Sequence, residues 1–170
     1  MDNIILIGMP AAGKSTFGVL LAKAMLYDFV DCDLIIQNKY GASLAALIEE
    51  RGEEAFVKLE NDTLSSLDYS HTVIATGGSA IYGEEAMAHL ATLGKIVYLK
   101  VDLDEIKRRI GNIQTRGVIM HGNPTLDEMF HERCFLYEKY AHIVVDLTGM
   151  TAEQAIAAMK EAVLGEKTCS

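Results

Sequence analysis

An apolar run, residues 4–7, leads directly into Gly8-Met9-Pro10-Ala11-Ala12-Gly13-Lys14-Ser15, and a helix-like stretch follows over residues 17–26. This is the pattern G-x-x-x-x-G-K-[ST] in full, set between a strand and a helix as such a loop requires. Glycines let successive backbone N–H groups turn toward one point, and the helix start adds the positive end of its dipole. The result is a cradle for phosphate, and the expected ligand is ATP. Gly8, Ala11, Ala12, Gly13, Lys14, Ser15 and Thr16 are the expected nucleotide-binding residues. Lys14 should reach the β- and γ-phosphates, with the Ser15 hydroxyl on Mg²⁺.

The rest of the chain repeats the alternation that this loop begins. Strand-like runs are expected near residues 29–30 and over 71–75, 96–101 and 143–145. Helices are expected over residues 44–50, 53–66, 84–92, 103–110, 126–140 and 152–163. The strands are continuous apolar runs, the signature of a parallel sheet buried on both faces. Strand–helix alternation then predicts a three-layer α/β fold with a central parallel sheet, a P-loop kinase architecture. A length of 170 residues suits one domain spanning the chain. Residues 111–123 carry three glycines and little apolar periodicity, and read as a mobile lid over the sheet.

Charge narrows the partners. Acids outnumber bases 24 to 15, for a net charge of -9, which disfavours nucleic acid and anionic membrane surfaces. No stretch approaches the roughly 20 apolar residues of a spanning helix. Cys32, Cys134 and Cys169 are too scattered for a disulfide framework or a zinc site and suit a reducing compartment, so a cytoplasmic protein is expected, monomeric by default. The five histidines are dispersed without metal-ligand spacing. His131, close to Arg133, is a minor candidate for the acceptor pocket.

Asp31-Cys32-Asp33 follows the second strand, at the carboxyl edge where ligands bind in open α/β sheets. Strand alternation would point both carboxylates to one side and Cys32 to the other. One aspartate could act on Mg²⁺ through water and the other accept a hydroxyl proton. The competing role for Asp33 is to cap the next helix.

Further segments follow in order: Gly52-Glu53-Glu54-Ala55-Phe56-Val57-Lys58-Leu59-Glu60, Gly77-Gly78-Ser79, Arg108-Arg109, Arg116, and Glu132-Arg133 through Tyr137 to Ala141. With the P-loop and the D-x-D pair, this order and spacing resemble the shikimate kinase family over nearly the whole chain. The resemblance implies an ATP- and Mg²⁺-dependent kinase of the shikimate pathway that acts on the 3-hydroxyl of shikimate. It implies Lys14, Asp33 and Arg116 as catalytic residues, with Asp33 the base and Arg116 the lid arginine. Asp31 and Ser15 would serve the metal, and Arg109 would lie near the adenine. Asp33, Gly77, Gly78 and Arg133 would hold the acceptor, Arg133 gripping its carboxylate.

Three departures bear on the acceptor. Val57 stands where the family carries a second arginine, and Lys58 is about 100° further round a helix. Ser79 replaces a third glycine, which costs strain only if that position needs a positive φ. Gly117 follows the lid arginine in place of proline. Two alternatives therefore stay open: a kinase of another small hydroxy or sugar acid such as gluconate, and a nucleotide-binding regulatory protein without turnover.

Overall fold

The apolar runs form five strands of one parallel sheet. A computed structural model describes residues 2–110 and 125–165. In order, the strands are β1 (Asn3–Ile7), β2 (Asp28–Asp31), β3 (Thr72–Ala75), β4 (Gly94–Lys100) and β5 (Ile143–Asp146), arranged in space as β2-β3-β1-β4-β5. The central strands β1 and β3 are buried at every position, as strands covered on both faces must be. Ile5 pairs with Ile74 on one side and with Ile96 on the other. At the rim, β5 alternates buried and exposed residues.

Eight α-helices are described: α1 (Lys14–Met25), α2 (Cys32–Tyr40), α3 (Leu44–Arg51), α4 (Glu53–Ser65), α5 (Glu84–Leu93), α6 (Leu103–Arg109), α7 (Leu126–Tyr140) and α8 (Ala152–Gly165). The path from β1 through α1 to β2 crosses β3, whereas the path from β3 to β4 through α5 crosses β1. Right-handed crossovers running in opposite directions put α1 and α5 on opposite faces of the sheet. Helix α8 packs beside α1, and α4 beside α5, which completes the three layers. The loops after β1 and β3 therefore part at the carboxyl edge, where open α/β sheets bind ligands. A smaller apolar cluster of Ile36, Leu47, Phe56 and Leu59 joins α2, α3 and α4 beside that edge.

Two expectations need correcting. Helix α1 begins at Lys14 rather than residue 17, and Leu26 is a left-handed cap that is 90% exposed. More important, the chain turns into α2 at Cys32. Asp31 ends β2 and caps that helix, accepting from Asp33 N at 2.9 Å, so strand alternation does not relate the two carboxylates. The cap is Asp31, not Asp33. Cys32 is fully buried, as expected, but on a helix. The expected lid, with Arg116 and Gly117, lies outside the described residues.

Candidate functional site

The loop between β1 and α1 has the backbone its glycines permit. Gly8 and Gly13 take φ of 153° and 98°, and Ala11, at 65°, enters the left-handed region despite its side chain. A Cβ on Gly8 would stand 2.8 Å from the Leu99 carbonyl oxygen, and one on Gly13 2.5 Å from the Phe17 ring. Lys14 folds back on the loop, its Nζ donating to the carbonyls of Gly8 at 2.7 Å and Met9 at 2.9 Å. Burial lowers its pKa to about 8, against the pull of Asp33. From α6, Arg109 Nη1 donates to the Ala11 and Ala12 carbonyls at 3.2 and 3.4 Å, and the guanidinium pairs with Glu105. Loop and arginine brace each other.

Ser15 Oγ donates to Asp31 Oδ2 at 2.5 Å, which ties the first turn of α1 to the cap of α2. A hydroxyl and a carboxylate are hard oxygen donors of the kind that suit Mg²⁺, and two of them leave room for phosphate oxygens and water. Asp33, in the first turn of α2, faces Lys14. Burial and the Asp31 carboxylate raise its pKa, and Lys14 opposes them.

A cavity of about 550 Å³ runs from the loop to the start of the turn after β3. It is lined by Lys14, Ser15, Thr16 and Arg109 at one end, and by Asp33, Gly77, Gly78 and Arg133 toward the other. A Cβ on Gly77 would stand 2.5 Å from Glu60 Oε1, and one on Gly78 2.9 Å from Pro10 and 3.1 Å from Arg133. Only glycine lets the turn pass between these groups. Arg133 is 1% exposed on α7, its guanidinium carbon 5.5 Å from the centroid of the Tyr82 ring. One helical turn on, Tyr137 donates its hydroxyl to the Gly78 carbonyl at 2.7 Å and stacks on Tyr98 at 5.1 Å. The same helix thus sets both the arginine and the glycine turn.

The departures fall into place individually. Ser79 has φ of -92°, so the missing third glycine costs no strain. Val57 packs on the small apolar cluster and does not line the cavity; Lys58 is exposed and does not line it either. His131 is exposed and engages the Asp127 carbonyl of its own helix at 2.7 Å. Glu60 is 2% exposed, lines the cavity, and accepts from Ser79 Oγ at 2.6 Å. Its spacing was the available signal: it follows buried Phe56 by four residues and so shares its helix face.

The family profile for shikimate kinase matches residues 10–164. The chain belongs to the shikimate kinase family. The shikimate kinase of Francisella tularensis subsp. holarctica is 34% identical over 158 residues, spanning 91% of this chain and 90% of that protein. The structure of the Acinetobacter baumannii shikimate kinase in complex with shikimate superposes with a TM-score of 0.88, at 29% identity over 99% of this chain and 96% of that one. Shikimate kinase from Aquifex aeolicus gives a TM-score of 0.82 at 28% identity, over 99% of both chains. Enzymes of this family are ATP-dependent phosphotransferases that act on a hydroxyl group. Among the described residues, no helix is long and apolar enough to cross a membrane.

Proposed function

We propose that this shikimate kinase family member transfers the γ-phosphoryl group of ATP to the 3-hydroxyl of shikimate. The observation that carries this reading is the shared cavity. Lys14 and Arg109 mark its phosphate end, and Asp33, Gly78 and Arg133 line it within reach of the same space. A phosphoryl donor and a carboxylated hydroxy acceptor need that adjacency, because this chemistry depends on positioning and electrostatic stabilisation.

The P-loop N–H groups and Lys14 hold the triphosphate, and Arg109 braces the loop from the nucleotide side. Arg133 binds the acceptor carboxylate, which turns the 3-hydroxyl toward Asp33. That hydroxyl oxygen forms a bond to the γ-phosphorus as its proton passes to the Asp33 carboxylate, and the bond to the β,γ-bridging oxygen breaks to release ADP. A raised pKa lets Asp33 keep that proton. Lys14 offsets charge on the transferring group, and the family resemblance assigns the same task to Arg116. Ser15 and Asp31 would hold Mg²⁺, which supplies neutralising charge to the phosphates.

Product analysis tests this reading. Incubation with ATP, Mg²⁺ and shikimate should yield ADP and shikimate 3-phosphate in equal amounts. ADP formed without the phosphorylated acid, or no ADP at all, would contradict it.

A further inference from the structure

The acceptor end of the cavity holds a carboxyl group that phosphoryl transfer does not use. Glu60 is buried, with Oε2 bonded to Ser79 Oγ. Its Oε1 and an oxygen of Asp33 converge on Gly77, 2.5 and 3.0 Å from where a Cβ there would stand. The charged and titratable groups that face it are Lys14 at the start of α1, Cys32 and Asp33 on α2, and Arg133 on α7. Of the other helices packed on α4, α5 brings Glu85, which Asn61 engages at 3.3 Å, and the acids of α3, Glu49 and Glu50, are exposed.

With Glu60 ionised, Lys14 and Arg133 are matched by Asp33 and Glu60. A carboxylate docking on Arg133 adds a third anion in a site of low dielectric, where neighbouring carboxylates cannot all stay charged. A second cation at position 57 would restore the balance, but Val57 supplies none. Losing a resident anion has the same effect as gaining a cation.

On the shikimate reading above, we propose that Glu60 is a specificity-determining residue of the acceptor pocket, taking up a proton as a carboxylate acceptor docks on Arg133. Ser79 is the positioning residue that sets how readily it does so. Ser79 donates to the carboxylate and so favours its charged form, and glycine at that position would have no hydroxyl to offer. Burial pushes Glu60 up to about 7, with Ser79 and the two cations pulling it down, so the exchange falls near neutrality.

Calorimetric titration of shikimate into the nucleotide-free protein, in buffers of differing ionisation enthalpy, reads the protons taken up per ligand bound. Uptake is expected above about pH 7, with the dissociation constant rising by up to tenfold per pH unit. Glu60→Gln should abolish both the uptake and the pH slope. Ser79→Ala should move the slope to higher pH, and Ser79→Thr should restore it. Binding without proton uptake, or a slope that Glu60→Gln leaves in place, would overturn the coupling while leaving the acceptor assignment intact. No binding of shikimate at any pH would overturn the acceptor assignment and the coupling with it.

Discussion

Ser15 Oγ lies 2.5 Å from Asp31 Oδ2, so one hydrogen bond joins the end of the phosphate loop to the carboxylate that caps α2. Asp31 therefore caps α2 and holds Ser15, and on the proposed function it would also serve Mg²⁺. Asparagine caps a helix as well as aspartate does but carries no charge. Asp31→Asn should weaken the Mg²⁺ dependence of turnover by about 10- to 100-fold, with thermal stability nearly unchanged. Rates titrated against Mg²⁺ at saturating ATP, beside a melting curve, check this. Unaltered Mg²⁺ dependence would remove Asp31 from the metal site.

Among the described residues, Arg133 is the one buried arginine that lines the cavity, and on the proposed function it binds the acceptor carboxylate. Replacing its planar fork with an ammonium removes a bidentate contact. Arg133→Lys should raise the KM for shikimate by one to two decades, the equivalent of roughly 1.5–3 kcal/mol, and leave the KM for ATP in place. Equal changes in both constants would indicate a purely structural arginine.

Tyr137 supports the glycine turn through the Gly78 carbonyl. Tyr137→Phe keeps the stack on Tyr98 but leaves that carbonyl without its donor, at a cost of about 1–3 kcal/mol. Denaturant unfolding should record that loss, together with a higher KM for shikimate. A stability change without a change in KM would separate the turn from acceptor binding.

Glu60 predicts a pH dependence of stability whose sign follows from burial. Its folded pKa, about 7, lies above the unfolded value near 4.5. Its stabilising contribution is therefore complete below about pH 4.5 and is lost as the pH rises through 7. Glu60→Gln, which keeps an acceptor for Ser79, should be the more stable protein at pH 8 by up to roughly 3 kcal/mol, with the gap closing toward pH 5. Unfolding curves at the two values decide it, and a gap independent of pH would place the charge of Glu60 outside the balance.

Val57→Arg should lower the KM for shikimate and flatten its pH dependence, because a cation at this position would pair with Glu60 and keep it ionised. The variant also removes an apolar contact from the small cluster of Ile36, Leu47, Phe56 and Leu59. A fall in melting temperature of a few degrees is expected alongside. A higher KM would count against position 57 as the missing half of the carboxylate clamp.

The sheet and the phosphate loop were legible because each rests on local pattern. Continuous apolar runs predict buried parallel strands, and glycine spacing predicts the loop backbone. Helix α2 escaped because Leu34-Ile35-Ile36 carries no local signal that separates a helix from an extended run, and the turn into it depends on the Asp31 cap. Glu60 escaped for a different reason. A glutamate on an amphipathic helix reads as solvated, and only tertiary packing brings it against Gly77 and Ser79. Ser79 was visible as a departure, but its partner, 19 residues away in sequence, was not. Val57 was visible too, although the cluster that holds it was not.

The most direct test of the account is the acceptor itself. Initial rates of ADP release, compared across shikimate, gluconate and nucleoside monophosphates, should give a kcat/KM for shikimate more than about a hundredfold above any other. Faster turnover of gluconate or a nucleotide, or ATP binding with no turnover of any acceptor, would contradict it.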